Sequence, residues 1–151
     1  MSLAQYKQKR NLKKSGEPKT KTKIKNSINN KLIFVVHSHF AKQHHYDLRL
    51  QINNVLKSWA VPKEPPIDDK TKRLAIQVED HPLSYSSFQG IIPEGNYGAG
   101  KVKIWDKGNY ELEKDSSKEI IFNLHGKKLN GKYVLIKTNY QEKGWLFFKM
   151  K

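Results

Sequence analysis

From residue 31 to the end, the chain sustains no helical period longer than two turns; it is instead a succession of short runs with strand character. LIFVV at 32–36 is an apolar, β-branched run. HYDLRLQI at 45–52 alternates strictly between polar and apolar residues, and Asn53-Asn54 then offers a tight turn into VLKSWAV at 55–61, which predicts a hairpin. RLAIQVE at 73–79 alternates again. KVKIWD at 101–106 and NYELE at 109–113 flank Lys107-Gly108, a second hairpin signal, and EIIFNLHG, KYVLIKT and GWLFFKMK complete about nine strands. Many short strands around one core, without residues enough for two large sheets, predict an all-β, mostly antiparallel, closed or nearly closed barrel. No internal repeat is visible.

Two segments depart from this rhythm. Residues 80–100, DHPLSYSSFQGIIPEGNYGAG, carry two prolines and four glycines and do not alternate. A connection this long in a compact domain is usually functional or disordered, and Phe88, Ile91, Ile92 and Tyr97 within it argue for packing. Residues 1–30 are lysine-rich and poor in large apolar groups, too few to bury the surface needed to fold alone. They are expected to form a basic, partly flexible arm ahead of a barrel domain spanning 31–151.

Charge narrows the class of partner. Lys plus Arg number 29 against 14 Asp plus Glu, a formal net charge of +15, and the arm alone holds nine of the basic residues and one of the acidic. A field of that sign attracts polyanions, nucleic acid first among them, through phosphate contacts that are salt-sensitive and indifferent to base sequence. With no cysteine, disulfides, thiolate metal sites and cysteine nucleophiles are excluded. No stretch of about 18 apolar residues exists to span a membrane, and MSLAQYKQKR lacks the apolar core of a secretory signal. A cytoplasmic protein without membrane partners is the expectation.

The sharpest chemical signal lies in HYDLRL. Alternation puts His45, Asp47 and Arg49 on one face of a strand and Tyr46, Leu48 and Leu50 on the other. The apolar face must look into the core, so the polar face is expected on the barrel's outside, open to solvent and substrate. His39, at the end of the preceding strand, can fold back to the same patch. Four of the six histidines (His37, His39, His44, His45) fall within nine residues; His44 falls on the apolar side by alternation and is read as structural. Two imidazoles and a carboxylate suit Mn²⁺, Fe²⁺ or Zn²⁺ and leave coordination positions open. Arg49 adds a planar fork that matches phosphate oxygens. Two other readings share parts of this pattern. H-x-D with the distant His125 spells the facial triad of non-heme iron oxygenases. A basic barrel with exposed aromatics such as Trp59 or Trp105 would be a non-catalytic binder of single strands.

The motifs FVVHSHFAKQHHYDLRLQ, VLKSWAVPKEP and KRLAIQVEDHPLSYSSFQGIIPEGNYGAGKVKIWDKG, in that order, closely resemble the 3′-phosphoesterase domain of bacterial DNA ligase D and its stand-alone bacterial and archaeal relatives. The resemblance covers nearly the whole chain, including YKQKRNLKKSGEP at 6–18. It implies a β-barrel that binds manganese, with Zn²⁺ or another divalent ion as the alternative. It also implies removal of a 3′-terminal ribonucleoside, then of the remaining 3′-phosphate, from DNA or RNA-tipped DNA ends at a primer–template, alongside a separate ligase and polymerase. By the same resemblance His39, His45 and Asp47 are the metal ligands, and Arg49, His81 and Tyr85 contact the scissile phosphate. Lys63 and Arg73 are further basic residues needed for activity, and Arg10 and Glu17 are functional residues of the N-terminal segment. The family usually carries Gln where this chain has His37 and Asp where it has Asn11; both positions count among the substrate-binding set.

Overall fold

A computed structural model describes residues 31–139 and 142–151. The expected arm at 1–30, with Arg10, Asn11 and Glu17, lies outside the described residues.

Nine strands follow one another: β1 (Leu32–Phe40), β2 (His44–Ile52), β3 (Val55–Val61), β4 (Lys72–His81), β5 (Gly90–Ile92), β6 (Gly100–Asp115), β7 (Glu119–His125), β8 (Asn130–Lys137) and β9 (Gly144–Lys149). All pairings are antiparallel. The order β1-β2-β3-β4-β9-β8-β7-β6 closes through β1–β6 into an eight-stranded barrel, and β5 hangs on the outer part of β6. Closure removes the free strand edges that would otherwise template association. The only helical element among the described residues is a 3₁₀ turn, Leu83–Ser87.

The lumen is filled by one cluster that includes Phe34, Leu48, Leu50, Trp59, Phe122 and Phe147, all fully buried. Each such side chain contributes about 1.5–3 kcal/mol by leaving water. Leu48 and Leu50 thereby lock β2, because a slip of one residue would turn both outward and the polar set inward. Asn53 and Asn54 both adopt positive φ, 53° and 65°, the mirror-image turn whose twist matches a two-residue hairpin.

Lys107-Gly108 is not a turn. β6 runs unbroken for 16 residues, pairing first with β5 and then with β7 along one side and with β1 along the other. Gly108 is there because a Cβ would strike the carbonyl of His125 on the adjoining strand. The sequence pattern that suggested a turn marks a close approach between strands. Trp59 is fully buried in the core and Trp105 is half-buried against it, so neither is the exposed aromatic that the single-strand-binder reading required.

Residues 82–99 form a strap along the outside of the barrel. Leu83 and Tyr85 pack on Leu56 of β3, the Phe88 carbonyl reaches His37, and the turn at 93–99 brings Gly98 over His39. Phe88 and Ile92 pack as expected, but Ile91 is 71% and Tyr97 48% exposed.

Candidate metal and phosphate site

Strand register brings the polar residues together. His37↔Asp47 and His39↔His45 are cross-strand partners on β1 and β2, and Asp47↔Ala60 and Arg49↔Ser58 carry the same outer face onto β3. On β4 the register shifts between the Ser58↔Val78 and Leu56↔His81 pairs, so one extra residue lies on the β4 side. That bulge turns His81 to the outer face, where plain alternation from Val78 would have put Asp80.

The outer face is not open, as the strand pattern alone suggested. The strap roofs it, leaving Asp47 5%, Arg49 3% and His81 1% exposed above a cavity of about 510 Å³. His39, His45, Asp47, Arg49, His81 and Tyr85 line this cavity together with Lys42, Glu79 and the 96–99 turn.

His39, His45 and Asp47 offer ligand atoms that all lie within 4.8 Å of one another. His39 Nδ1 is 3.6 Å and His45 Nε2 3.4 Å from the same carboxylate oxygen, Asp47 Oδ2. The remaining ring nitrogens face backbone carbonyls: His39 Nε2 lies 2.7 Å from Gly98 O and His45 Nδ1 3.1 Å from Gln43 O. A carbonyl only accepts, so those nitrogens carry the protons. In the neutral imidazoles, Nδ1 of His39 and Nε2 of His45 then point lone pairs at an anionic oxygen with no proton between them. Three converging lone pairs fit a cation, and carbonyl-oriented histidines are the usual support for one.

Charge favours the same arrangement. Burial works to raise the Asp47 carboxyl, but the Arg49 charge, and the hydrogen bonds His39 and His45 give when the facing nitrogen carries a proton, outweigh it and hold it well below the usual carboxylate range. Burial works to lower His45, yet its hydrogen bond to Asp47 and that carboxylate's charge leave it raised. Without a cation, therefore, His45 is the group that takes a proton in its place.

Arg49 is clamped on every side. Its Nε donates to His37 Nδ1 at 3.1 Å, Nη1 donates to Ser58 Oγ at 2.9 Å and lies 3.2 Å from His81 Nδ1, and Nη2 lies 3.4 Å from Asp47 Oδ2. The Tyr85 ring stacks under the guanidinium at 4.8 Å. One planar cation, of the kind whose fork suits phosphate oxygens, is thus fixed between the three-ligand cluster and His81.

His37 stands behind this arginine and outside the cavity lining. It is fully buried, and its Nε2 donates to the Phe88 carbonyl at 3.1 Å while Nδ1 accepts from Arg49. Burial first, and the Arg49 charge second, push its pKa down to about 3, so it is neutral at ordinary pH and accepts from the arginine. Lys63 and Arg73 are also absent from the cavity. Lys63 is exposed in the β3–β4 connection, and Arg73 Nε donates to the Glu64 carbonyl at 2.7 Å, bracing that connection at the barrel end next to the site. His44 is exposed at the β2 start, not buried in the core, with its Nε2 2.8 Å from Ser38 Oγ. His125 pairs with Glu111 at 2.8 Å and lines a different cavity, so it completes no triad with His45 and Asp47.

The sequence reading missed Ser58, Lys42, Glu79 and the orienting carbonyls. Ser58 was within reach, because the Asn53-Asn54 turn fixes the hairpin register and makes it the cross-strand neighbour of Arg49.

The chain matches the family model described as the DNA Ligase D 3′-phosphoesterase domain over residues 37–137. It is 44% identical over 153 residues to the "Multifunctional non-homologous end joining DNA repair protein LigD" of Mycobacterium tuberculosis, covering 99% of this chain and 20% of that protein. Similar proteins named "Multifunctional non-homologous end joining protein LigD" occur in Mycolicibacterium smegmatis, 45% identical over 160 residues, and Pseudomonas aeruginosa, 44% over 154 residues. Each of these alignments also covers 99% of this chain, which spans 20% and 18% of the two relatives.

Proposed function

Because the chain belongs to the DNA ligase D 3′-phosphoesterase family, we propose that it is a divalent-metal-dependent hydrolase of DNA end joining. In this reading it removes a 3′-terminal ribonucleoside from a primer strand, then the 3′-phosphate left behind, exposing a 3′-OH. The observation that carries the proposal is the convergence of His39, His45 and Asp47 beside a clamped, buried arginine. Manganese is the proposed ion. A separate ligase and polymerase are the proposed partners, the cytoplasm is the proposed compartment, and an arm at 1–30 ahead of a barrel at 31–151 is the proposed division. No helix among the described residues is long and apolar enough to cross a membrane.

When bound, a divalent cation at the three ligands would polarise a phosphoryl oxygen and lower the cost of its developing charge. The protein's own groups do the rest. Arg49 offers Nη2 to a second phosphoryl oxygen while its other nitrogens stay engaged, so no reorganisation is needed as charge builds. His81, when its Nδ1 accepts from Arg49 Nη1, carries its proton on Nε2 and supplies that proton to the leaving oxygen or to a phosphoryl oxygen as a hydrogen bond. Tyr85 lies against the guanidinium, and in this reading it donates its hydroxyl to phosphate. Lys63 and Arg73, outside the cavity, act on the strand leading into it rather than on the scissile group. Arg10, Glu17 and Asn11 keep the substrate-binding roles that the family resemblance implies.

The direct test is a 5′-labelled primer–template ending in one ribonucleotide, incubated with Mn²⁺ and with chelator. Metal-dependent shortening to a 3′-phosphate and then to a 3′-OH is expected; unchanged primer with Mn²⁺, Zn²⁺ and Co²⁺ alike would end the proposal.

A pH dependence follows from His45. Its raised pKa means that the cation must displace a proton below that value, whereas Asp47, with its lowered pKa, stays ionised throughout. The half-saturating Mn²⁺ concentration should therefore fall as pH rises from about 6 to about 8, with a limiting slope of roughly tenfold per pH unit for one displaced proton. In metal-free protein the sign reverses. Stabilisation by protonated His45 is full below its unfolded-state pKa and fades as pH rises through the folded one. Thermal melts with and without Mn²⁺ across this range check both, and a metal affinity flat with pH contradicts the ligand role of His45.

His37 gives a third test. His37→Gln keeps a side-chain acceptor for Arg49 Nε and should retain activity within roughly threefold. His37→Ala leaves a buried guanidinium N–H without a partner and should lose about 10-fold or more in kcat. Equal activities of the two variants would show that the contact does not position Arg49.

A further inference from the structure

On the other side of the same strand ends lies a surface that the cavity does not use. Register places Ile91 (β5), Lys101 (β6), Phe40 (β1) and His44 (β2) in one cross-strand row, with Lys103, Ser38 and Tyr46 in the next. Partners in register point to one face, which is the lumen side of the strands. Here, at the barrel mouth, that side emerges into solvent. Phe40 is 45% exposed, and Ile91 is more exposed still. The Phe40 and His44 rings lie parallel, 5° apart in plane with centroids 4.3 Å apart. His44 is pinned by Ser38 Oγ, and the ladder continues through Tyr46 at 4.9 Å to Trp105, which Lys128 covers.

This row carries two stacked flat rings, Phe40 and His44, and the apolar Ile91, with Lys101 between Ile91 and Phe40. Lys101 and Lys103 stand side by side on β6, close enough that the hydrogen bond and charge of Lys103 depress the Lys101 pKa. Two crowded ammonium groups favour an anion between them. From strand spacing the row is about 14 Å across, room for more than one base. It also adjoins the site: Phe40 follows the candidate ligand His39, and His44 precedes the ligand His45.

We propose that Phe40, His44 and Ile91, with Lys101 and Lys103, form a stacking platform for unpaired nucleobases of the nucleic acid whose 3′ end lies in the cavity. The proposal rests on the phosphoesterase reading for what occupies the cavity, and on the row itself for what it binds. Flat rings take any base, and the lysines meet the backbone phosphates, so the platform is blind to sequence.

The test uses two single-stranded oligodeoxynucleotides of equal length with 3′-phosphates, one intact and one abasic over its last three positions. Binding is read by fluorescence anisotropy in chelator, and turnover with Mn²⁺ is read separately. Phe40→Ala should weaken binding of the intact strand roughly 10-fold, leave the abasic strand unchanged and leave kcat near wild type. Phe40→Trp should restore the intact strand. Ile91→Ser, on an exposed three-residue strand that cannot decide the fold, removes apolar area without adding charge and should reproduce the Phe40→Ala pattern. Equal losses on both strands, or no loss on either, overturn the platform. Because binding is measured without metal, a chain that binds bases but hydrolyses nothing would refute the phosphoesterase reading and keep the platform. Full turnover with no difference between the strands would do the reverse.

Discussion

Asp47→Asn should leave a folded barrel whose turnover is lower by on the order of 10³-fold, because the substitution reverses the polarity of one corner of the ligand cluster. The side chain keeps its shape, so β2 packing through Leu48 and Leu50 is untouched. What changes is the chemistry facing the histidines. Asp47 Oδ2 lies 3.6 and 3.4 Å from His39 Nδ1 and His45 Nε2, the lone-pair positions of the neutral imidazoles. An amide NH₂ in that place would donate to those lone pairs and satisfy them without a cation. The variant should therefore melt within a few degrees of wild type in chelator and show no further rise on addition of Mn²⁺, whereas wild type should rise. The attraction to Arg49 Nη2 at 3.4 Å is also lost, but the guanidinium keeps its bonds to His37 and Ser58. Measured turnover within tenfold of wild type at saturating Mn²⁺ would refute the assignment of Asp47 as a ligand.

How much of this site could be read without coordinates depended on whether the information was local. HYDLRL disclosed its two faces because a strand buried on one side must alternate, and the alternation placed His45, Asp47 and Arg49 together. The barrel class was legible for the same reason, from many short alternating runs. Lys107-Gly108 misled because glycine has two uses: this one admits the His125 carbonyl from β7, a contact between residues 17 apart that no window on the sequence contains. The roof was invisible for a related reason. Residues 82–99 do not alternate, so their path across β1, β2 and β3 is set by tertiary contacts such as Phe88 O to His37 and Gly98 O to His39. The β4 bulge was equally hidden, and with it the reason His81 and not Asp80 faces the cavity. Lys63 and Arg73 were named as basic residues of the family, but only the fold shows them at the barrel end beside the cavity rather than in it. That location is the rim on which Phe40 and His44 also lie, where β1 ends, β2 begins, β3 ends and β4 begins.

Arg49→Lys should cost roughly 10²–10³-fold in kcat although the charge is conserved, since a lysine cannot reproduce the fork. Four neighbours converge on the guanidinium in different directions: His37 on Nε, Ser58 and His81 on Nη1, and Asp47 on Nη2, with Tyr85 against its face. A single ammonium reaches at most some of them. His37 Nδ1 would lose its donor in a fully buried position, and a stability loss of about 1–3 kcal/mol should accompany the kinetic one. The charge that remains would still oppose the burial of Asp47, so the three-ligand cluster should survive. That separates the two variants. Arg49→Lys should keep the Mn²⁺-induced rise in melting temperature that Asp47→Asn abolishes, while both lose turnover. If Arg49→Lys instead lost the metal response as completely as Asp47→Asn, the arginine would belong to the cation's support, and the phosphate would have to be held by His81 and Tyr85 alone. Turnover of the lysine variant within threefold of wild type would show that charge without geometry suffices, against the clamped arrangement seen here.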